Sequence, residues 1–352
     1  MISPKRPISP RRGAIAGIAL AILGIGALAY SQQIDHFVIG KVEYYGYAGL
    51  NLHKIEAAIP LRAGKTLSTA EMGGALNQTA AVVRKLTGRP PTDTEPVCCD
   101  ARGAWFVYVG LPGKSTHTVP YNPTPKGNAK LPASIVGLHD QIADSLLHAI
   151  RTGAKEDDSK GYFLSSDPGL RKIQDAIHDY AVDHGPLIIK VLQTSADPHE
   201  REAAAEALGY AEQSPEQLAA LAHAGRDPDS GVRNNAIRAL TVLAHASPKT
   251  ASQIPSQGFI DLLSSGSWSD RNKSCALLET LTRFRDPHLL SALRTQALTP
   301  LIEMAHWDPG HAGAAEFILG RIAGIPEDKL QKMANADQAV AIIHAAKQTA
   351  SR

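Results

Sequence analysis

The chain has 352 residues, 43% hydrophobic and 20% charged, which allows two folded units with a sizeable core and excludes general disorder. Aromatic residues make up only 5%, a composition that suits Ala/Leu helix packing better than a β-sandwich. The formal net charge is +2, but Lys5, Arg6, Arg11 and Arg12 supply four positive charges with no acid among the first twelve residues; the near-neutral remainder argues against nucleic acid as a partner.

Residues 1–12 therefore read as a basic cytoplasmic tail, and residues 13–34 as a membrane-directed segment. The run from Gly13 to Tyr30 is GAIAGIALAILGIGALAY, and no charge follows until Asp35. As a helix, residues 13–34 span roughly 33 Å, enough for a bilayer core of about 30 Å. The charge asymmetry predicts that the body lies outside the cytoplasm. Two readings stay open. The segment is retained as a single-pass inner-membrane anchor, where Gly13-x-x-x-Gly17 favours helix pairing, or it is a signal peptide cleaved after Ala29 at Ala27-Leu28-Ala29, giving a periplasmic or secreted body. A buried core helix is the third, blander reading.

Residues 37–113 alternate differently. Phe37-Val38-Ile39 and Val42-Glu43-Tyr44-Tyr45 predict a strand, ended by Gly46 and Gly49. Leu52, Ile55, Ala58 and Ile59 are spaced for a helix stopped by Pro60. Ser68 and Glu71 form a capping box for a second helix running to about Leu86. Val97–Asp100 and Trp105–Val109 predict two further strands around an Arg102-Gly103 turn. This β-α-α-β-β order, carried by Ile39-Gly40-Lys41-Val42-x-Tyr44-x-Gly46, Ile55 and Leu61-x-x-Gly64-x-x-Leu67-Ser68, resembles a POTRA domain. The resemblance implies protein contacts, by strand addition at a sheet edge, and no catalysis. The Pro/Thr-rich stretch Arg89–Pro96 and the adjacent Cys98 and Cys99 depart from the pattern. A trans peptide would hold those cysteines' Cα atoms about 3.8 Å apart, so free, mostly buried thiols are expected there. Cys275 takes an Ala-like core position on a predicted helix. An oxidising compartment leaves an intermolecular pairing, or one through Cys275, open.

Residues 114–133 include Pro120, Pro123, Pro125 and Pro132 and read as a linker. Helices resume at Ser134 and continue to residue 350. Asp167-Pro168, Asp197-Pro198, Asp227-Pro228 and Asp308-Pro309, with Ser269-Asp270 filling the gap, recur at intervals of 30, 30, 43 and 38 residues. A period in this range means stacked supersecondary units that bury their apolar faces on one another. After three of these turns a frame repeats: Arg201-x-x-Ala204-x-x-Ala207-Leu208, Arg233-x-x-Ala236-x-x-Ala239-Leu240, Arg271-x-x-Ser274-x-x-Leu277-Leu278. The frame resembles the HEAT repeat, and Asp227 to Leu240 is nearly a consensus copy. The resemblance implies an α-solenoid of about five helix pairs over 134–350. The expected fold is thus mainly α, preceded by a small α+β domain and a membrane helix.

No nucleotide loop or catalytic set emerges. Gly113-Lys114-Ser115 and Gly64-Lys65-Thr66 lack the first glycine of a P-loop. His199-Glu200 resembles the iron-ligand pairs of deoxyhypusine hydroxylase-like HEAT proteins, but it is the only such pair in the chain, and a di-iron site needs several. His306 and His311 flank a turn with Asp308, which suits helix ends as well as an ion. No catalytic residue, cofactor or metal is therefore assigned. Asp197, Asp227 and Asp270 are expected to cap helices, and Arg201, Arg233 and Arg271 to pair with acids of neighbouring repeats. The second helices of a right-handed stack line its concave face, so Arg233, Asn234, Asn235, Arg238, Arg271, Asn272 and Lys273 form a candidate strip for a polar or acidic partner segment. The alternative for that strip is that the arginines are consumed inside the stack. The function these features imply is a non-catalytic envelope scaffold that binds another protein. The second reading is an enzyme accessory, similar to HEAT-type bilin lyases, with a small molecule or modified substrate in the groove.

Overall fold

The computed structural model describes residues 36–100, 102–336 and 338–350. Both the basic tail and the 13–34 segment lie outside the described residues. Among the described residues, no helix is long and apolar enough to cross a membrane.

The N-terminal unit runs β1 (His36–Tyr45), α1 (Leu52–Ala58), β2 (Thr66–Ser68), α2 (Thr69–Thr87), β3 (Asp93–Val97) and β4 (Trp105–Gly110). The sheet order is β2-β1-β4-β3, with β1 parallel to β4 and the other pairs antiparallel. The Ser68–Glu71 capping box starts α2. The third strand begins earlier than expected, inside the Pro/Thr-rich stretch, because Asp93–Val97 finds a ladder on β4; Pro96 is tolerated on this edge strand. Cys98 and Cys99, expected as free thiols, are joined in a disulfide across a cis peptide, whereas the expectation assumed a trans one. Successive residues of β4 face opposite sides. Val107 and Val109 pack on the helices with Ile39, Ile55, Leu67 and Val83, while Phe106 and Tyr108 belong to the core of the helical part. Both faces are buried, which is why β4 reads as an unbroken apolar run.

The helical part follows as α3 (Ala133–Arg151), a short hairpin β5 (Glu156–Asp157) and β6 (Leu164–Ser165), α4 (Pro168–Thr194), α5 (Pro198–Leu208), α6 (Pro215–Ala224), α7 (Ser230–Ala246), α8 (Pro248–Ala251), α9 (Gln257–Leu262), α10 (Trp268–Thr282), α11 (Pro287–Gln296), α12 (Leu298–Met304), α13 (Pro309–Ile322), α14 (Glu327–Asn335) and α15 (Ala339–Ala350). The long α4 bends at His184, just ahead of Pro186. Helices α5, α7, α10, α13 and α15 pack in series as one layer, and α6, α9, α11 with α12, and α14 form the other. The start signal is a cap-proline pair. Asp167, Asp197, Ser214, Ser247, Asp286 and Asp308 each accept a backbone N–H of the helix that begins at the following proline. Two expected caps differ. Asp229, not Asp227, caps α7, and Asp270 lies inside α10. Both displaced aspartates hold arginines instead.

Residues 114–133 are not a free linker. They form an extended strap laid across the repeat turns, running against the direction of the stack. His117 donates its backbone N–H to Ser264 O (2.9 Å), Asn122 to Arg226 O (2.7 Å), Gly127 to Thr194 O (2.7 Å) and Leu131 to the Glu200 carboxylate (2.9 Å). Prolines hold such a segment extended, so little conformational freedom is lost when it docks. Strap, sheet and solenoid thus form one body.

Candidate functional site

The face that a bare solenoid would offer to a partner is built on a ladder of buried ion pairs. Arg201 holds Asp227 of the next repeat through two bonds of 2.9 and 2.8 Å, and Arg233 holds Asp270 at 2.7 and 3.2 Å. Each also donates to the carbonyls of its own turn, Arg201 to Ser195 and Ala196, Arg233 to Asp227 and Pro228. Arg271 continues the register. It donates to Ser265 O at 2.7 Å and lies 3.4 Å from the Glu303 carboxylate. Arg321 pairs back with Glu279 at 2.9 Å and forward with Glu327 at 2.6 Å. Glu327 is half exposed, but the other pairs are buried; buried pairs are worth little over apolar packing but fix register, because a slipped stack would strand a charge.

The N-terminal parts of the chain close over this ladder. The Tyr121 ring lies 4.0 Å from the Arg233 guanidinium, and its hydroxyl donates to Asp270 at 2.8 Å. Ser115 O and Thr116 Oγ1 take Arg271, whose guanidinium also lies over the Tyr45 ring. Glu303 is 2% exposed and accepts the N–H groups of Gly46 (2.7 Å) and Ala48 (3.0 Å) and the Ser115 hydroxyl (2.6 Å). Gly46 stands at φ +72, and a Cβ there would run into Leu111 O and Thr116 Oγ1, so glycine is required for this approach. Beside it, Tyr108 packs on Trp268 and Trp307, and Trp307 donates its ring N–H to Tyr44 O at 2.9 Å. Tyr108 Oη is 2.6 Å from His311 Nδ1, in an apolar setting whose burial pushes His311 down to about 4. Asp93 receives the Trp268 backbone N–H at 2.9 Å.

This closure corrects the expectation of a solvent-facing strip. Arg233, Asn234, Arg238, Arg271 and Lys273 are buried, and Asn235 and Asn272 are half-buried. Arg238 stacks on Phe163 of the β5–β6 hairpin at 3.8 Å and lies 3.8 Å from Glu206. Asn234 donates to Asn235, which donates to Glu202 O. Burial, then the Arg238 charge, pushes Lys273 down to about 7. The physical reason is that α7 and α10 sit between the outer helices and a covering layer of sheet, strap and hairpin. A cavity of only about 20 Å³ remains among Phe163, Glu206, Tyr210, Asn235, Arg238 and Val242, room for about one water. His306 and His311 do not converge either, since His311 meets Tyr108 and Asp308 caps α13.

Sequence reasoning missed Glu303, Tyr121 and Tyr108. Tyr108 could have been found from the unbroken apolar run of β4. The other two carry no local signal, because the contacts that close the face lie far along the chain, 149 residues for Tyr121 to Asp270 and 257 for Glu303 to Gly46.

The open surface is on the outer layer. A shallow trough of about 510 Å³ runs between α6 and the turn that joins α8 to α9, lined by Pro215, Leu218, Ala219, Ala222, His223, Gln253 and Pro255.

Residues 185–255 match the HEAT repeats family, the stretch that holds the Arg201–Asp227 rung. No curated protein matches the chain. Similar solved structures include the following two. One is an engineered protein from a structural-genomics consortium, 16% identical, covering 62% of this chain and 98% of its own, with a TM-score of 0.38. The other is a designed armadillo repeat protein, 17% identical, covering 53% and 94%, with a TM-score of 0.36. The helical part is a HEAT-like repeat array.

Proposed function

We propose that this chain is a non-catalytic, protein-binding scaffold of the bacterial cell envelope. Residues 13–34 tether it to the inner membrane or direct its export, and the folded body lies beyond that membrane. One observation carries the reading: the chain itself covers the inner face of the repeat array, leaving a rigid platform whose outer helices are open to a partner. The apolar trough beside α6 is the partner surface on that layer. The strand and helix order of the N-terminal unit supports the POTRA-like reading, with β2 as an added edge strand. The filling of the groove by Tyr121, Phe163 and Arg238 favours a scaffold over an accessory that holds a small molecule there.

A photo-crosslinking residue placed at the exposed Ala219 should give a discrete protein adduct in membranes of the source cells, and one at Asn235 should give none. Adducts at Asn235 and none at Ala219 would contradict the outer-face reading. A reporter active only beyond the inner membrane, fused after Arg352, should be active, and activity of a cytoplasm-only reporter would overturn the topology.

A further inference from the structure

A cluster at the head of α5 lies outside the ladder. His139, His199 and Glu202 each offer one ligand atom, and these atoms lie within 4.8 Å of one another. His199 lies in the first turn of α5 and Glu202 follows three residues later, which puts them on one helix face. His139 comes from α3, packed against it. The lone His-Glu pair of the sequence does not act as a pair. Glu200 turns to Leu131 N, and the carboxylate beside His199 is Glu202.

The surroundings have the features of a built site. His139 Nδ1 is 3.1 Å from Glu206 Oε2, while its Nε2 is 4.0 Å from Glu202 Oε1. A carboxylate behind an imidazole fixes its orientation and raises the basicity of the far nitrogen, the arrangement usual for metal-binding histidines. Asp140 lies 3.0 Å from His199 Nε2 and adds negative charge. Glu202 is positioned from two sides. Its carbonyl accepts Asn235 Nδ2, and its carboxylate sits over Gly231, where any Cβ would come within 2.6 to 2.7 Å of carboxylate atoms. Gly231 thus leaves the space that Glu202 fills.

We propose that His139, His199 and Glu202 bind a divalent cation of the zinc class. Two imidazoles and one carboxylate suit Zn²⁺ and its neighbours, whereas Ca²⁺ and Mg²⁺ take oxygen sets. Ligands at about 2.1 Å in a tetrahedron stand about 3.4 Å apart, so the three close in by about 1 Å on binding. His199, with 49% of its side chain exposed, has room to make that movement and leaves an entry path and a fourth position for water. The ion would clamp α3 to α5 around the end of the strap, since Leu131 is held by Glu200, between the two α5 ligands.

The test uses the full chain, free of any histidine tag and stripped by chelator, titrated with Zn²⁺ by calorimetry. Saturation at one equivalent with a dissociation constant of about 1 μM or tighter is expected, as is a tetrahedral visible spectrum with Co²⁺. Replacing the exposed ligand, His199→Ala, should weaken binding at least tenfold without changing the helical signal. Glu206→Gln should weaken it by about 10- to 100-fold, as loss of an orienting carboxylate does. Binding weaker than about 0.1 mM, or binding unchanged in both His199→Ala and Glu202→Gln, would overturn the assignment.

Discussion

Arg271 and Glu303 form the rung at which the solenoid's ladder becomes the anchorage of the N-terminal sheet. The two side chains are 3.4 Å apart and essentially inaccessible, and Glu303 uses its other lone pairs on Gly46, Ala48 and Ser115. One carboxylate therefore holds a repeat, the end of β1 and the start of the strap.

Glu303→Gln should destabilise the chain by about 3–5 kcal/mol, the usual result of stranding a buried charge. The loss should appear in the N-terminal unit as well as the helices. Chemical denaturation followed by the near-ultraviolet signal of Trp307, which is bonded to Tyr44, and by helical circular dichroism would check this. Two separate transitions in the variant, or a change under 1 kcal/mol, would speak against the shared rung.

Acid should loosen the junction through His311. Its pKa is near 4 in the folded protein and 6.5 ordinarily, so the unfolded chain takes up a proton first as pH falls from 6.5. The stability from this group is present above 6.5, is lost across that window, and is gone below about 4. At about 1.4 kcal/mol per unit, the loss approaches roughly 3 kcal/mol. His311→Phe should flatten that part of the stability–pH curve, measured by urea unfolding between pH 7 and 4.

Lys273 gives a slope at the other end. Its pKa falls from 10.5 to about 7 on folding, so between those values the unfolded chain holds the extra proton and stability rises with pH. Below 7 the penalty of the buried charge is complete. Lys273→Met should therefore help most at pH 6 and least at pH 10, by a difference approaching roughly 4 kcal/mol at about 1.4 kcal/mol per unit. An effect that does not vary with pH would contradict the burial account.

What the sequence made legible was local. Asp-Pro pairs, the Arg201–Arg233–Arg271 register and the Ser68–Glu71 box depend on neighbours a few residues away, and each specified helix starts or repeat phase. Asp227 was misassigned as a cap because Asp229, two residues on, offers the same chemistry, and only the Arg201 position decides between them. The strap read as a linker because Pro120, Pro123 and Pro125 exclude helix and central strand. Part of its attachment runs through backbone groups of His117, Asn122 and Gly127, which leave no trace in side-chain pattern, and another part through Tyr121 and Ser115, whose partners are distant in sequence. The polar strip failed for a related reason. Whether Arg233 and Lys273 face water depends on a sheet more than 100 residues earlier. The cation cluster was hidden because its third ligand comes from α3, two helices ahead of α5, which carries the other two.

The central claim is that sheet, strap and solenoid are one cooperative body whose inner face is closed by the chain itself. Amide hydrogen exchange of the full chain tests it most directly, read at Gly46, Ala48, Asn122, Gly127 and Leu131 against the buried helix α10. The account predicts that these amides exchange with protection close to that of α10, since opening them requires breaking the shared core. Fast exchange from residue 114 to 131 alongside a protected α10 would contradict it, and would return the segment to the role of a free linker.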